Sequence, residues 1–213
     1  PGPLRGVVSP PRPPTPRRPF PPLAGHRRYH PRPAYDPAAR PLAVVAPVEA
    51  PSRFAAAYAT SAAERVETDM TDIFTFHPWS DGGSIEIAGV TLRAEAVDHP
   101  CEAYAVRVEH DGRSLAYSGD TGPCAGLIEA ARGVDVLLCE ATWPHVTEWW
   151  DEPPPSIHLS GRQAGEHAAA AGVGRLLIKH VPAWFDAQAL LAEAKAVFDG
   201  PVELVEPDAA YAI

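Results

Sequence analysis

An α/β fold, a β-sheet covered by helices, is what the sequence predicts, and three observations carry the prediction. Apolar residues alternate in two consecutive hairpin patterns between positions 85 and 117. Each pattern is centred on a turn signal, Gly89 in the first and Asp111-Gly112 in the second. Beyond Tyr117 the periodicity changes to short apolar strands alternating with helical segments, which is the arrangement of a layered α/β domain.

Sixteen of the 26 prolines fall within the first 51 residues. The run Pro10–Pro22 shows neither helical nor strand period, and its composition predicts irregular or polyproline-like chain. The division read from this is a Pro/Arg-rich irregular segment over 1–40 and a folded domain over 41–213. Leu42–Val45 is a short apolar strand, and Ser52 is placed as the cap of a helix running to Tyr58. Ile85–Ala88 with Val90–Val97, then Ala103–Glu109 with Ser114–Tyr117, form the hairpins. Cys124–Arg132 is a helix, and Val134–Cys139 a strand, apolar except at Asp135. Ser160 caps an alanine-rich helix that stops at Gly172. Arg175–Ile178 is a strand, Ala187–Phe198 a helix and Val202–Val205 a closing strand.

The bulk properties narrow the classes of function. The net charge of -9 combines eight arginines and a single acid within residues 1–40 with a strongly acidic remainder. A basic arm can bind nucleic acid, but an acidic body is a poor general surface for it, because such binding rests on neutralising phosphates. No apolar run approaches the roughly 18 residues needed to span a bilayer, so no membrane association is expected. The opening Pro1-Gly2-Pro3-Leu4-Arg5 carries neither an initiator Met nor a signal-peptide pattern, and the true N-terminus is expected upstream. Three cysteines, Cys101, Cys124 and Cys139, without a CxxC spacing, argue against a disulfide framework and suit a reducing cytoplasm.

Three polar residues stand where predicted strands end, the position from which loops present functional groups on an α/β sheet. His99 follows Val90–Val97, Asp120 closes Ser118-Gly119-Asp120-Thr121, and His180 follows Leu176–Lys179. Two imidazoles and a carboxylate suit a borderline-soft divalent cation, and the carboxylate can bridge two ions. The alternative is that each residue only ends its strand or turn.

Five short motifs occur in a fixed order. They are Asp98-His99-Pro100-Cys101-Glu102-Ala103-Tyr104, Ser118-Gly119-Asp120-Thr121-Gly122-Pro123-Cys124, Cys139-Glu140-Ala141-Thr142, His158-Leu159-Ser160 leading into Arg162-Gln163-Ala164, and Lys179-His180-Val181. Together, over roughly 85–213, they resemble the ribonuclease Z and cyclic-nucleotide phosphodiesterase-like branch of the metallo-β-lactamase superfamily. The resemblance implies an αββα sandwich, incomplete at its N-terminus here, and a metal-dependent hydrolase using two Zn2+ ions. It implies His99 on the first metal, His180 on the second and Asp120 as the bridge. His158 would be the catalytic histidine that protonates the leaving group, and Glu140 an acidic residue that orients a histidine or serves structure alone. The reaction implied is hydrolysis of a phosphodiester by a metal-bound hydroxide. The substrate would be a cyclic nucleotide or an RNA 3′ end; a homodimer is an assembly left open. Between His99 and Asp120 the sequence has room only for a tight hairpin, not for the extended arm with which tRNA-processing relatives grip tRNA, and this favours the smaller substrate.

The main signature of that family, His-x-His-x-Asp-His, does not occur as a string. Leu4–Ser9 resembles the strand on the N-terminal side of the signature and Pro22–His30 the segment on its C-terminal side, with Pro10–Phe20 between. Codons for Arg17-Arg18-Pro19 such as CGC-CGA-CCA contain, one base along, GCC-GAC-CA, which reads Ala-Asp-His, so a displaced frame is one account of the gap. A genuine Pro/Arg linker is the other, and then a degenerate, non-catalytic domain is the alternative function. His26 and His30, four residues apart, are weak substitute ligands because Pro31 comes directly after them. His77 is read as packing in an aromatic loop, and His110 and His167 as solvated. The loop Trp143–Pro155, with His145, Trp149 and Trp150, either roofs a substrate pocket or packs on the core, and Trp184 lies close to His180 in sequence.

Overall fold

Strands of nearly unbroken apolar sequence belong in parallel sheets buried on both faces, and Leu42–Ala46 is such a strand in the computed structural model, which describes residues 6–8, 20–29 and 41–213. The chain forms two compact units, Pro1–Trp79 and Ser80–Ile213. In the first, β1 (Gly6–Val8), α1 (Phe20–Tyr29), β2 (Leu42–Ala46), α2 (Ala50–Tyr58) and β3 (Phe74–Pro78) build a three-stranded parallel sheet in the order β1-β2-β3. Its core gathers Leu42, Val44 and Ala46 of β2 with Ala50, Ala55, Met70, Ile73 and Phe74.

Three features of this unit depart from the sequence reading. Helix α1 lies inside the stretch 1–40, where composition predicts irregular chain. Pro21 and Pro22 fall in its first turn, where a missing N–H costs nothing because that donor has no intrahelical partner. Helix α2 starts at Ala50 with Glu49 at its N-cap and a proline in its first turn. Ser52 therefore sits inside the helix and donates to the Glu49 carbonyl (2.9 Å) instead of capping it. The segment read as an aromatic loop is β3, parallel to β2 with Val45 opposite His77, because Phe74 and Phe76 alternate into an aromatic group with Phe54. Most of Pro10–Phe20, together with His30, lies outside the described residues.

The second unit is set by its turns. β4 (Ser84–Ile87) and β5 (Val90–Ala96) are joined by Ala88 and Gly89 at φ 57° and 81°, and β6 (Tyr104–His110) and β7 (Arg113–Tyr117) by Asp111 and Gly112 at φ 48° and 74°. Paired positive φ values mark the turn whose twist matches antiparallel strands. β8 (Val136–Glu140), β9 (Arg175–Lys179) and β10 (Val202–Leu204) then add in parallel, completing a seven-stranded sheet in the order β10-β9-β8-β7-β6-β5-β4.

Three helices accompany this sheet: α3 (Ala125–Ala131), α4 (Gly161–Ala171) and α5 (Ala187–Lys195). Ser160 caps α4 by accepting from the Gln163 N–H (3.1 Å), while the Gln163 side chain accepts from the Ser160 N–H (2.9 Å). Gly172, left-handed at φ 66°, ends the helix. Gly161 and Gly165, one turn apart, let α5 approach α4 closely. A Cβ on Gly161 would lie 2.2 Å from the Leu190 carbonyl oxygen, and one on Gly165 2.7 Å from that of Ala194. His167, read as solvated, is instead buried on α4. Its Nδ1 bonds the Gln163 carbonyl (2.8 Å) and its Nε2 accepts from the Cys124 N–H (3.2 Å) at the start of α3. The helix is flanked by both α3 and α5, so its polar side is not free to face water.

Candidate active site

Parallel strands point their carboxyl ends to one edge of a sheet, and that edge is where this unit collects its polar residues. β5 runs the same way as β7, β8 and β9, because two antiparallel pairings separate it from β7. His99 follows β5, Asp120 follows β7, Glu140 closes β8 and His180 follows β9. His158 arrives from the segment leading into α4.

The structure joins these residues through a series of contacts. The His180 Nδ1 lies 3.3 Å from Asp120 Oδ1, and the rings of His180 and His158 are 5.2 Å apart, centroid to centroid. His158 is in turn 5.7 Å from the His99 ring. His99, His158, His180 and Asp120 therefore form a chain of pairwise neighbours along this edge, and His99 and Asp120 are not in the group whose ligand atoms converge within 4.8 Å.

Glu140 organises it from below. Its carboxylate is fully buried, and Oε1 accepts from the Thr121 N–H (2.6 Å) and from His158 Nδ1 (2.9 Å). Oε2 accepts from the Thr142 hydroxyl (2.7 Å) and the Leu159 N–H (3.4 Å). Ligand atoms of Glu140, His158 and His180 come within 4.8 Å of one another, close enough to hold an ion together. The Glu140 carboxylate, however, is already engaged by four donors. An ionised carboxylate only accepts, so His158 must carry its proton on Nδ1 and turn Nε2 outward. His99 is fixed in the same way, its Nδ1 3.0 Å from the Ile157 carbonyl, which leaves Nε2 as its lone-pair nitrogen.

His180 carries two signs of constraint. Its φ of 67° is left-handed, rare for a side chain of this size. Burial holds its imidazole below the ordinary histidine range; the Asp120 carboxylate opposes that shift and the Lys179 ammonium adds to it. Lys179 Nζ sits 3.3 Å from Asp120 Oδ1, donates to the Gly119 carbonyl (3.1 Å), and lies over the Tyr117 ring. Asp120 thus meets an imidazole and an ammonium on one oxygen. In the sequence Lys179 stands only as part of a motif and is given no role, because nothing in a strand pattern marks one.

Other candidates lie apart from this chemistry. His145 pins its loop, with Nδ1 2.9 Å from the Ser160 hydroxyl and its N–H donating to Glu193 (2.9 Å). His110 bonds the Gly89 carbonyl at the far hairpin. Cys139 is fully buried and its thiol is pushed up to about 12 by desolvation, which removes it as a ligand. A charged cleft of about 450 Å³ on the strand face is lined by Arg93, Arg107 and Arg132. Each of these is paired with a glutamate (Glu95, Glu109 and Glu129 respectively), which leaves no net field for an anion.

The profile of the beta-lactamase superfamily domain matches residues 28–181. The chain belongs to the metallo-β-lactamase superfamily. A solved metallo-beta-lactamase fold protein, YhfI from Bacillus subtilis, aligns with 88% of this chain and 69% of its own at a TM-score of 0.67 and 19% identity. The short form of human tRNase Z aligns with 67% of this chain and 61% of its own at a TM-score of 0.51 and 17% identity. An uncharacterized protein of Mycobacterium tuberculosis is 43% identical over 188 residues, 88% of this chain and 65% of its own length. Ribonuclease BN of Escherichia coli is 41% identical over 105 residues, 48% of this chain and 33% of its own. The chain thus spans 65% of the length of its mycobacterial relative. Its fold class is that of the superfamily, α/β with a multi-stranded sheet.

Proposed function

We propose that this metallo-β-lactamase domain hydrolyses phosphodiester bonds with divalent metal, zinc for preference, and that its substrate is a nucleotide. The observation that carries the reading is the coupling of two pairs: Glu140–His158, which frees a histidine nitrogen, stands beside Asp120–His180, which offers a carboxylate and an imidazole. The donor chemistry fits a borderline-soft cation, since His99, Asp120 and His180 supply two imidazoles and a carboxylate at one edge. Bound zinc would acidify water and offset charge on the phosphoryl oxygens.

The remaining roles belong to the chain. His99, His180 and Asp120 would hold the metal through two imidazoles and a carboxylate. Lys179 keeps the Asp120 carboxylate in place from behind. His158 donates a proton to the departing oxygen, and Glu140 keeps its ring oriented and compensates the imidazolium charge. The name of Ribonuclease BN, the relative matched over 105 residues, supports a phosphodiester substrate. Between His99 and Asp120 the chain makes only β6, a two-residue turn and β7, which supports a small cyclic nucleotide over an RNA 3′ end.

The test uses the full-length protein with zinc content and hydrolysis of bis-p-nitrophenyl phosphate and cyclic AMP as readouts. Zinc binding with turnover of both esters, and loss of turnover in His158→Ala, is the expected result. An inert, zinc-free protein, with His99→Ala changing nothing, establishes the degenerate domain instead.

A further inference from the structure

Two of the most exposed large apolar side chains of the second unit, Trp149 (68% exposed) and Trp184 (78%), face one cleft of about 610 Å³. Phe185, Val146, Pro144 and Thr147 complete its wall, and its single ionisable lining residue is Glu148. We propose that this cleft is a subsite for the nucleobase of the substrate, an inference that rests on the phosphodiesterase reading and specifies which end of the substrate lies where.

Continuity with the site is the first argument. The Trp143 ring is 5.4 Å from His158 and 6.3 Å from Phe185, and Phe185 is 6.3 Å from Trp184. On the other wall, Trp143 is 5.9 Å from Trp150, which is 6.0 Å from Trp149. Aromatic rings therefore lead from the proposed proton donor to both exposed tryptophans. Both walls also spring from site strands: one segment leaves β8 after Glu140, the other leaves β9 after His180.

Pre-organisation is the second. The Thr147 N–H donates to the Trp150 carbonyl (2.9 Å), the Trp149 N–H to the Thr147 hydroxyl (3.0 Å), and the Trp150 indole to the Pro144 carbonyl (3.2 Å). Anchoring of His145 to Ser160 and Glu193 ties this loop to α4 and α5. Across the cleft, the Phe185 N–H closes a turn on the Pro182 carbonyl (3.1 Å). A loop whose backbone is held by its own hydrogen bonds lowers the ordering cost at binding to that of the two exposed indole rings.

Size and charge select the occupant. The volume is that of a small-ligand pocket, and tryptophan faces stack on the π-face of any base. A phosphate is disfavoured beside Glu148, whose carboxylate instead suits the amino group of a base such as adenine. The phosphate then falls to the histidine cluster and the base to the tryptophans.

Binding of adenosine, which has no phosphate, reads the subsite without metal or turnover. Calorimetry should show adenosine binding to the full-length protein, about tenfold or more weaker binding to the double variant W149A/W184A, and recovery in W149F/W184F. On turnover, the double variant should lower the preference for cyclic AMP over its base-free cyclic ribose phosphate analogue, through KM. Equal adenosine binding by wild type and W149A/W184A, or none by either, overturns the subsite. So does a change of oligomeric state with adenosine affinity intact, which would make the face a protein contact. Failure of hydrolysis with adenosine binding retained would instead count against the phosphodiesterase reading alone.

Discussion

The two compact units differ in how each is specified. In Ser80–Ile213 the local signals agree: positive-φ turn residues join the hairpins, a reciprocal cap starts α4, a left-handed glycine ends it, and small residues stand where helices touch. In Pro1–Trp79 the local signals conflict with the outcome. A proline-rich start becomes a helix, and a string ending in His77-Pro78 becomes a parallel strand. All six residues given a role in the proposed site, His99, Asp120, Glu140, His158, Lys179 and His180, lie in the unit whose signals agree. Chemistry needs atoms placed to fractions of an ångström, and mutually consistent turns, caps and contacts are what hold strand ends in register.

The sharpest way to break this comparison is to remove the carboxylate. Asp120→Ala should abolish zinc binding and reduce hydrolysis to the blank, while His77→Ala, on β3 of the first unit, should leave zinc content unchanged. Metal analysis after dialysis decides between them. A variant of His77 that loses zinc would place a ligand in the first unit.

Second in size is Glu140→Gln. The amide still accepts from His158 and the Thr121 N–H on one oxygen and its nitrogen can donate to the Thr142 hydroxyl, so that only the long Leu159 N–H contact (3.4 Å) loses its acceptor and the fold should survive with a small loss of stability. The charge that supports a protonated His158 is gone, and kcat should fall about 10- to 100-fold, typical for loss of an orienting partner, with KM nearly unchanged. Unchanged kcat would reduce Glu140 to a structural role.

Legibility in the sequence does not follow the two units, because residues that were read and residues that were missed both lie in Ser80–Ile213. His99, Asp120 and His180 could be singled out because each follows a recognisable strand, and strand polarity sends all of them to one edge. Glu140 could be named, but whether it orients a histidine or serves structure alone was left open, since its four donors come from three separate segments. Lys179 stood in one of the ordered motifs but was given no role, because only the sheet brings it to Asp120. His167 was misread because an alanine-rich helix gives no sign that both its flanks are covered. β3 was lost because proline and histidine at its end masked the Phe74/Phe76 alternation.

Packing at α4 and α5 offers a smaller effect. Gly161→Ala places a methyl 2.2 Å from the Leu190 carbonyl oxygen, and backbone cannot swing aside as a flexible side chain can. The helices must separate, at a cost of about 1–3 kcal/mol typical of overpacking. Thermal unfolding should shift down by several degrees. Because Ser160 and its neighbour Leu159 sit at the start of α4, the same variant should also lower kcat modestly through His158.

The smallest predicted effect has the opposite sign. Gly25 is in the interior of α1, in the first unit, and a Cβ built there meets nothing within 4 Å among the described residues. The neighbours fix the helix on either side: Ala24 is fully buried, and Arg28 donates from two nitrogens to Asp72 at 2.7 Å while its guanidinium lies over the Tyr58 ring. A glycine in such a place contributes only backbone entropy to the unfolded chain. Gly25→Ala should therefore stabilise the protein by about 0.5–1 kcal/mol, the helix-interior difference between the two residues. The gain opposes the loss at Gly161, although both changes add one methyl to a helical glycine. The first unit leaves room along its helix, whereas the second has used the missing Cβ to bring two helices together. Denaturant titration of both variants against wild type reads the contrast directly. A destabilising Gly25→Ala would mean that this position is not helical, or that another segment covers it, and the distinction drawn between the two units would fail at that point.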